Sequence, residues 1–542
     1  MKRTEMIARF GEEEIDVLVI GAGINGAVAA AALSDQGLKV AIVDRGDFSS
    51  GSSSSSSNLI WGGIKYLENH EYSLVWRLCG SRNLLIKSYP TRIQPICFHL
   101  SCPKGFRKSS TLFYIGTLVY WFFGRCMSKS PKYRSCRAIA ADHAFINTEN
   151  IEGAVEYWDA YMPDNDARFS FQFVKKAVSM GAIAVNYMAV DSLNWKDGKW
   201  EIDLRSDESD MPIRVSSKAV INASGPHVEL LNKKNGLSSP KHILFSKGVH
   251  LIVRRITNAH GVFAFFADDG RLFFLLPMGD KSCIGTTDTR VSELPVSVND
   301  EDRKFILTNI NRLLRLEEPL TVKDIISERV GVRALVVDED QFDDKSDWMS
   351  LSRKHFIDIK EEESYISVFA GKFTDCINVG EGLIAAMGKL GFDMGKKGKW
   401  YGEDNVEDKV SFLDAAKSLG MTLSGEEWAL RLWRLYGKDA NVILGRIKED
   451  PEKKKNIIPQ IDFMLAEAEY ACENEMVVEL EDLLRRRQMI SLTHAKDKLV
   501  EMSGFKRLSQ VLFGEDWEAK YERWKKDSVP VDISKGRDGN RE

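Results

Sequence analysis

Three glycines, Gly21, Gly23 and Gly26, stand in GxGxxG spacing directly after the apolar run IDVLVI and directly before the small-residue run AVAAAALS. In that setting each has its own task. The first permits a tight turn, the second lets backbone approach a pyrophosphate, and the third lets a helix lie against the strand. The N-terminus of that helix offers unpaired N–H groups and a positive dipole end to phosphate. A second strand over residues 39–43 ends at Asp44, near the spacing at which a carboxylate meets an adenosine ribose. Strand, loop, helix and acid in register predict a dinucleotide site carried by Gly21, Gly23, Gly26 and Asp44. The stretch RGDFSSGSSSSSSNLIWGG follows, and its hydroxyls and backbone N–H groups, those of Ser56 and Ser57 among them, suit a pyrophosphate and a ribityl chain. A low-complexity surface loop is the bland alternative. It is weakened because the serines run straight into Leu59, Ile60, Trp61 and the Gly62-Gly63 pair.

The elements that must position these residues exceed one core. With 542 residues and 44% hydrophobic content, two or three domains are expected. VINASGP, residues 220–226, reads as a late strand of the nucleotide domain ending in a glycine turn. Residues 242–289 alternate short apolar strands with turns, an antiparallel pattern suited to the wall of a substrate pocket. SVFAGKFTDCINVGEGLIAAMGK then reads as strand, loop and helix returning the chain to the nucleotide. Residues 396–409 read as a polar linker, residues 413–419, 426–436 and 463–487 as helices, and the last residues as a frayed tail.

Several function classes are disfavoured. A net charge of −4 gives no reason to expect nucleic-acid binding. The eight cysteines include no CxxC and show neither metal-ligand, iron–sulfur nor disulfide spacing, so no metal is expected. No secretory leader is expected, and the acidic run at 12–14 argues against a transit sequence. No run is long enough to span a bilayer. The nearest, LFYIGTLVYWFFG at 112–124, lies between Lys104, Arg107, Lys108 and Arg125, Lys129, Lys132, Arg134, Arg137. It suits either a membrane surface, with cations on anionic lipid, or a buried helix.

These blocks resemble the FAD-dependent, membrane-associated glycerol-3-phosphate dehydrogenases over nearly the whole chain. The markers are GAGINGAVAAAALSDQG, VDRGDFSSG, LIWGGIKYLE, INASGPHV, SKGVHLIV, LLPMGDKSCIGTTDT, ERVGVRALV, SVFAGKFTD and EAEYACENEMVVELEDLLRRR. The resemblance implies α/β plus α+β architecture: a Rossmann-type FAD domain (1–95, 150–240, 325–395) and an inserted antiparallel-sheet substrate cap (96–149, 241–324). A helical C-terminal domain (410–530) and a flexible tail (531–542) follow. It implies FAD contacts from Asn58, Gly62, Gly225, Lys372 and Thr374 as well. His250 becomes the base that takes the hydroxyl proton while hydride leaves carbon. Arg333 and Arg353 become a phosphate clamp, with Lys65, Tyr66, Thr286 and Thr287 lining the pocket. Lys372 becomes the cation beside the flavin.

The implied reaction is oxidation of sn-glycerol 3-phosphate to dihydroxyacetone phosphate. Electrons would pass to a membrane quinone at the cytoplasmic face of the inner or plasma membrane, with residues 104–137 as a peripheral contact; a homodimer stays open. The chain departs from the family at Asn58 (usually Lys), Trp61 (usually His), Lys65 (usually Arg) and His227 (usually Trp). Trp61 removes an ionisable group, and Lys65 keeps charge without a bidentate fork. An oxygen-using oxidase, or a flavin-binding subunit with altered or lost catalysis, are the alternatives.

Overall fold

The computed structural model describes residues 2–105, 109–206, 211–338, 354–395, 398–419 and 426–526. The apolar run Ile15–Ile20 lies at the middle of a sheet ordered Phe356–Lys360, Tyr365–Phe369, Ile213–Asn222, Ile15–Ile20, Val40–Val43, Ile183–Val185. All neighbours pair in parallel except the first two. A parallel sheet covered on both faces reads as continuous apolar sequence, which explains why IDVLVI and VAIV do not alternate. The alanine-rich helix Ile24–Asp35 is buried from its first residue to Ser34. Its small side chains let it sit between this sheet and the helices Asp166–Ser179 and Cys376–Lys389.

A second sheet runs Thr289–Val291, Lys241–Arg254, Lys281–Gly285, Leu272–Met278, Val262–Phe266, Gln94–Pro103, Ile151–Tyr161, Leu59–Ile60, with Ile325–Asp338 paired to Lys241–Arg254. It is antiparallel apart from one parallel pair, Val262–Phe266 with Gln94–Pro103. Strands 59–60, 151–161 and 325–338 hydrogen-bond in this sheet, although the segmentation drawn from the sequence gives them to the nucleotide domain. Along Lys241–Arg254 the side chains alternate: Val249, Leu251 and Val253 enter one apolar cluster, and Ile252 enters the cluster on the opposite face.

The C-terminal part is helical, with its own buried clusters. Residues 463–487 are not one helix. Leu465–Asn474 stops before Glu475, which is fully buried and bonded to Arg168 at 2.7 Å. A π-helical turn, Asp482–Arg487, restarts the chain, with Asp482 accepting from the Val478 and Glu479 N–H groups. The expected linker is in part packed structure: Trp400 is buried against Gly380, and Glu403 accepts from Thr91 and Arg92.

This helical part also grips the nucleotide domain. Asp47, three residues beyond Asp44, receives Arg487 at 2.7 and 2.8 Å and Arg486 at 2.6 Å, all three side chains being buried. Burial pushes the Asp47 carboxyl up, but the two guanidinium groups outweigh it and hold it below the usual range. Asp47→Ala would leave buried Arg487 without its carboxylate and Arg486 with Asp482 alone, and a loss of about 3–5 kcal/mol is expected in denaturant melts.

Candidate active site

The glycine loop is built by contact. Gly21 adopts φ +95°, and a Cβ there would lie 2.7 Å from the Ala223 carbonyl oxygen. A Cβ on Gly26 would collide with the Gly21 carbonyl, so helix and strand meet through backbone alone. Gly23 caps the helix, and a Cβ on it would lie 3.1 Å from Ser53 Oγ, which accepts the Ile24 N–H at 2.9 Å. Asp44 accepts from the Ala22 and Gly46 N–H groups at 2.7 and 2.9 Å. Burial, opposed by those two donors, pushes its carboxyl up to about 6. Gly225 opens a short 3-10 turn with φ +63° and open space at its Cβ position, beside the end of Ile213–Asn222. The half-buried His227 that follows accepts from Arg45 at 2.9 Å.

The cradle fits a dinucleotide: side-chain-free backbone at the turn, a hydroxyl at the helix N-terminus and a carboxylate beyond the second strand. One further serine stands at its helix terminus. Ser53, hidden in a uniform serine run, reaches the helix terminus. Ser56 instead donates its N–H to Asp166 at 2.8 Å and accepts the Asn58 N–H at 3.1 Å, forming a turn with half-buried Ser57 between.

That turn brings the serine loop onto the cap sheet. Gly331 passes so close that a Cβ would lie 2.9 Å from Ser55 Cβ. On the same strand face, two residues either side, stand Arg329 and Arg333. Arg329 is fully buried. It pairs with Asp166 at 2.8 Å and donates from both terminal nitrogens to Asn58 Oδ1 at 3.2 Å. Arg333 donates to Asp288 and Thr286 Oγ1 at 3.0 Å each, and to the Thr287 carbonyl at 3.2 Å. Asp288 also accepts from Ser246. Thr287 is buried and receives the Val249 N–H at 3.0 Å.

His250 pairs in register with Arg329 on the neighbouring strand. It is buried, and neither ring nitrogen has a hydrogen-bond partner among the described residues. Burial, then Arg329 and Arg333, push its pKa down to about 3, so the imidazole is neutral at ordinary pH.

A second group lies on the turns leaving the first sheet. Lys372 donates to Tyr66 Oη at 2.5 Å, and Thr374 donates to the Trp61 carbonyl at 3.1 Å. Ala370 before them has φ +53°, a left-handed conformation that costs energy in a non-glycine residue, and its carbonyl receives Asn25 Nδ2 at 2.7 Å. Lys65 is half-buried in the 3-10 turn Ile64–Leu67. Gly62 donates to Asp159 at 3.3 Å, and its missing Cβ makes room for Tyr120. Arg353 lies outside the described residues. Ser53, Asp166, Asp288 and Arg329 are absent from the expected set. Alternation alone could have found Arg329, since it sits four residues before Arg333 on one strand.

The helix Ser110–Phe123 has two faces. Tyr120 is buried and donates to Asp159 at 2.6 Å, which also holds Arg82 at 3.0 Å. Leu112, Ile115, Val119 and Phe122 are 50%, 50%, 37% and 64% exposed on the other face. No helix among the described residues is long and apolar enough to cross a membrane.

A glycine-turn nucleotide sheet with an antiparallel cap bearing His250 and Arg333 defines a flavin-type oxidoreductase. Residues 16–362 match the model of the FAD dependent oxidoreductases, and residues 401–504 match the C-terminal domain of alpha-glycerophosphate oxidase. The chain is 30% identical over 514 residues to a probable glycerol-3-phosphate dehydrogenase of Encephalitozoon cuniculi, covering 91% of this chain and 81% of that one. It is 29% identical to the aerobic glycerol-3-phosphate dehydrogenase of Bacillus subtilis, covering 90% and 89%. The glycerol-3-phosphate dehydrogenase of Bacillus halodurans, solved with FAD, superposes with a TM-score of 0.73 at 24% identity, covering 97% and 95%. This chain belongs to the FAD-dependent glycerol-3-phosphate dehydrogenase family.

Proposed function

We propose that this chain oxidises sn-glycerol 3-phosphate to dihydroxyacetone phosphate. The observation that carries the reading is a buried imidazole whose two nitrogens have no hydrogen-bond partner among the described residues, set beside two guanidinium groups on one sheet face. FAD, when bound, supplies the hydride acceptor. Gly21, Gly23, Gly26, Asp44 and Ser53 would hold its nucleotide half, with Gly225, Thr374 and the 56–62 loop around the remainder.

The residues divide the work. Arg333, Thr286 and Lys65 bind the phosphate dianion, Arg333 exchanging its Asp288 contact for phosphate oxygens in a bidentate fork. His250 accepts the proton of the secondary hydroxyl. A dianion placed against Arg333 offsets one of the charges that depress the imidazole, so substrate raises the basicity of the group that must act on it. Lys372, oriented by Tyr66, stabilises negative charge in the reduced state. Turnover with a soluble quinone analogue, present for sn-glycerol 3-phosphate and absent for glycerol, tests the reading. Stoichiometric hydrogen peroxide without quinone would favour the oxidase alternative.

The natural acceptor in this reading is a membrane quinone, reached at the cytoplasmic face of the inner or plasma membrane. The apolar face of Ser110–Phe123 supports it, with exposed Trp76 at its side and Lys104, Arg125 and Lys129 exposed around it. Rings at headgroup depth and cations on anionic lipid make a peripheral anchor. Ile115→Glu with Phe122→Glu is expected to weaken sedimentation with anionic vesicles by about tenfold or more while leaving soluble-quinone turnover intact. Unchanged sedimentation would exclude this face.

A further inference from the structure

We propose that Arg329 is a positioning residue of the reaction: clamped by Asp166 and Asn58, it ties the serine loop to the cap sheet and stands beside His250 as a fixed cation that disfavours the protonated imidazole. The inference rests on the function proposed above.

Two independent sets of contacts meet at this guanidinium. The first is mechanical. Asp166 accepts from Arg329 at 2.8 Å and, through the same oxygen, from the Ser56 N–H at 2.8 Å. Asn58 accepts from Arg329, donates to the Asp164 carbonyl at 2.6 Å and holds a left-handed φ of +57°. The Ser54 carbonyl lies 3.3 Å from the same guanidinium. One buried cation thus fixes both ends of the turn that leads from the nucleotide loop to Trp61. The positive charge beside Asp166 comes from the facing strand.

The second set is electrostatic. Arg329 is the register partner of His250. Among the described residues the charged groups around it are Arg333 with Asp288, Asp166 paired with Arg329, and buried Arg485 from the helical part, whose pKa burial and then Arg329 push down. The buried thiol of Cys283 lies on the strand paired to the other side of His250. Asp166 and Asp288 are engaged by arginines. The nearest net influence on the imidazole is therefore cationic, and it is built in rather than supplied by substrate.

The test removes both buried charges together, so that neither is stranded. R329Q/D166N is expected to bind FAD and keep the substrate KM within about threefold, while flavin reduction slows about tenfold or more, because the turn leading to Trp61 is no longer tied to the cap sheet and the reacting groups lose their alignment. The acid limb of its pH profile should move up by about one unit. R329Q/N58K, which puts an ammonium beside Asp166, should recover both. An unchanged rate and acid limb in R329Q/D166N would overturn the proposal, and so would loss of FAD from both variants, which marks a purely structural pair. Wild-type protein that holds FAD but is not reduced by sn-glycerol 3-phosphate contradicts the proposed function instead. Histidine NMR, assigned with H250N, then still reads Arg329: the His250 titration shifts up in R329Q/D166N, or it stays and the proposal fails.

Discussion

His250→Asn is expected to slow reduction of the bound flavin by sn-glycerol 3-phosphate by about 10²–10⁴-fold, the usual worth of a placed general base. Substrate affinity should change little, because Arg333 and Thr286 keep their mutual geometry without the imidazole. Both ring nitrogens of His250 lack partners, so asparagine breaks no side-chain hydrogen bond among the described residues. The stability consequence has the opposite sign. With a folded pKa near 3 against about 6.5 in the unfolded chain, His250 leaves the unfolded state holding the extra proton between those values. Its contribution is present above pH 6.5 or so and is lost as pH falls toward the folded value. His250→Asn should therefore flatten the acid side of the stability profile while crippling the reaction. A variant losing activity only in step with stability would contradict the role of base.

Gly26→Ala is expected to abolish stable FAD binding. The added methyl would meet the Gly21 carbonyl on one side and lie 3.3 Å from Val19 Cγ1 on the other. Neither obstacle is the far end of a flexible side chain, so the helix Ile24–Asp35 must move away from the strand Ile15–Ile20. Overpacking of a fitted core costs about 3 kcal/mol, and if that appears in the holo state FAD affinity falls roughly a hundredfold. Equilibrium dialysis or retention of the yellow colour on gel filtration measures it. Gly51→Ala is the control, since its Cβ position faces open space.

The nucleotide half was legible because each step of its chemistry demands a residue type that few others satisfy. An apolar strand, three spaced glycines and an acid leave little freedom, and the strand, turn and helix stand where those residues place them. The antiparallel wall over 242–289 was legible from alternation. The serine tract was not. Identical residues carry no register, so nothing in SSSSSS marks Ser53 as the one beneath the helix and Ser56 as the one bound to Asp166. Long-range ion pairs were equally hidden: Arg329 and Asp166 are separated by 163 positions, and Asp47 and Arg487 by 440. The helix over 112–124 looked ambiguous because one of its faces is buried through Tyr120 while the other, carrying Phe122, is apolar and exposed.

Anaerobic stopped-flow absorbance of the FAD-loaded protein, mixed with sn-glycerol 3-phosphate, tests the central claim most directly. Rapid bleaching of the oxidised-flavin band, absent with glycerol and with the opposite enantiomer, is the predicted result. An unbleached band in protein that demonstrably holds FAD would contradict it, and would mean that the surroundings of Trp61 and Lys65 select a different substrate or none.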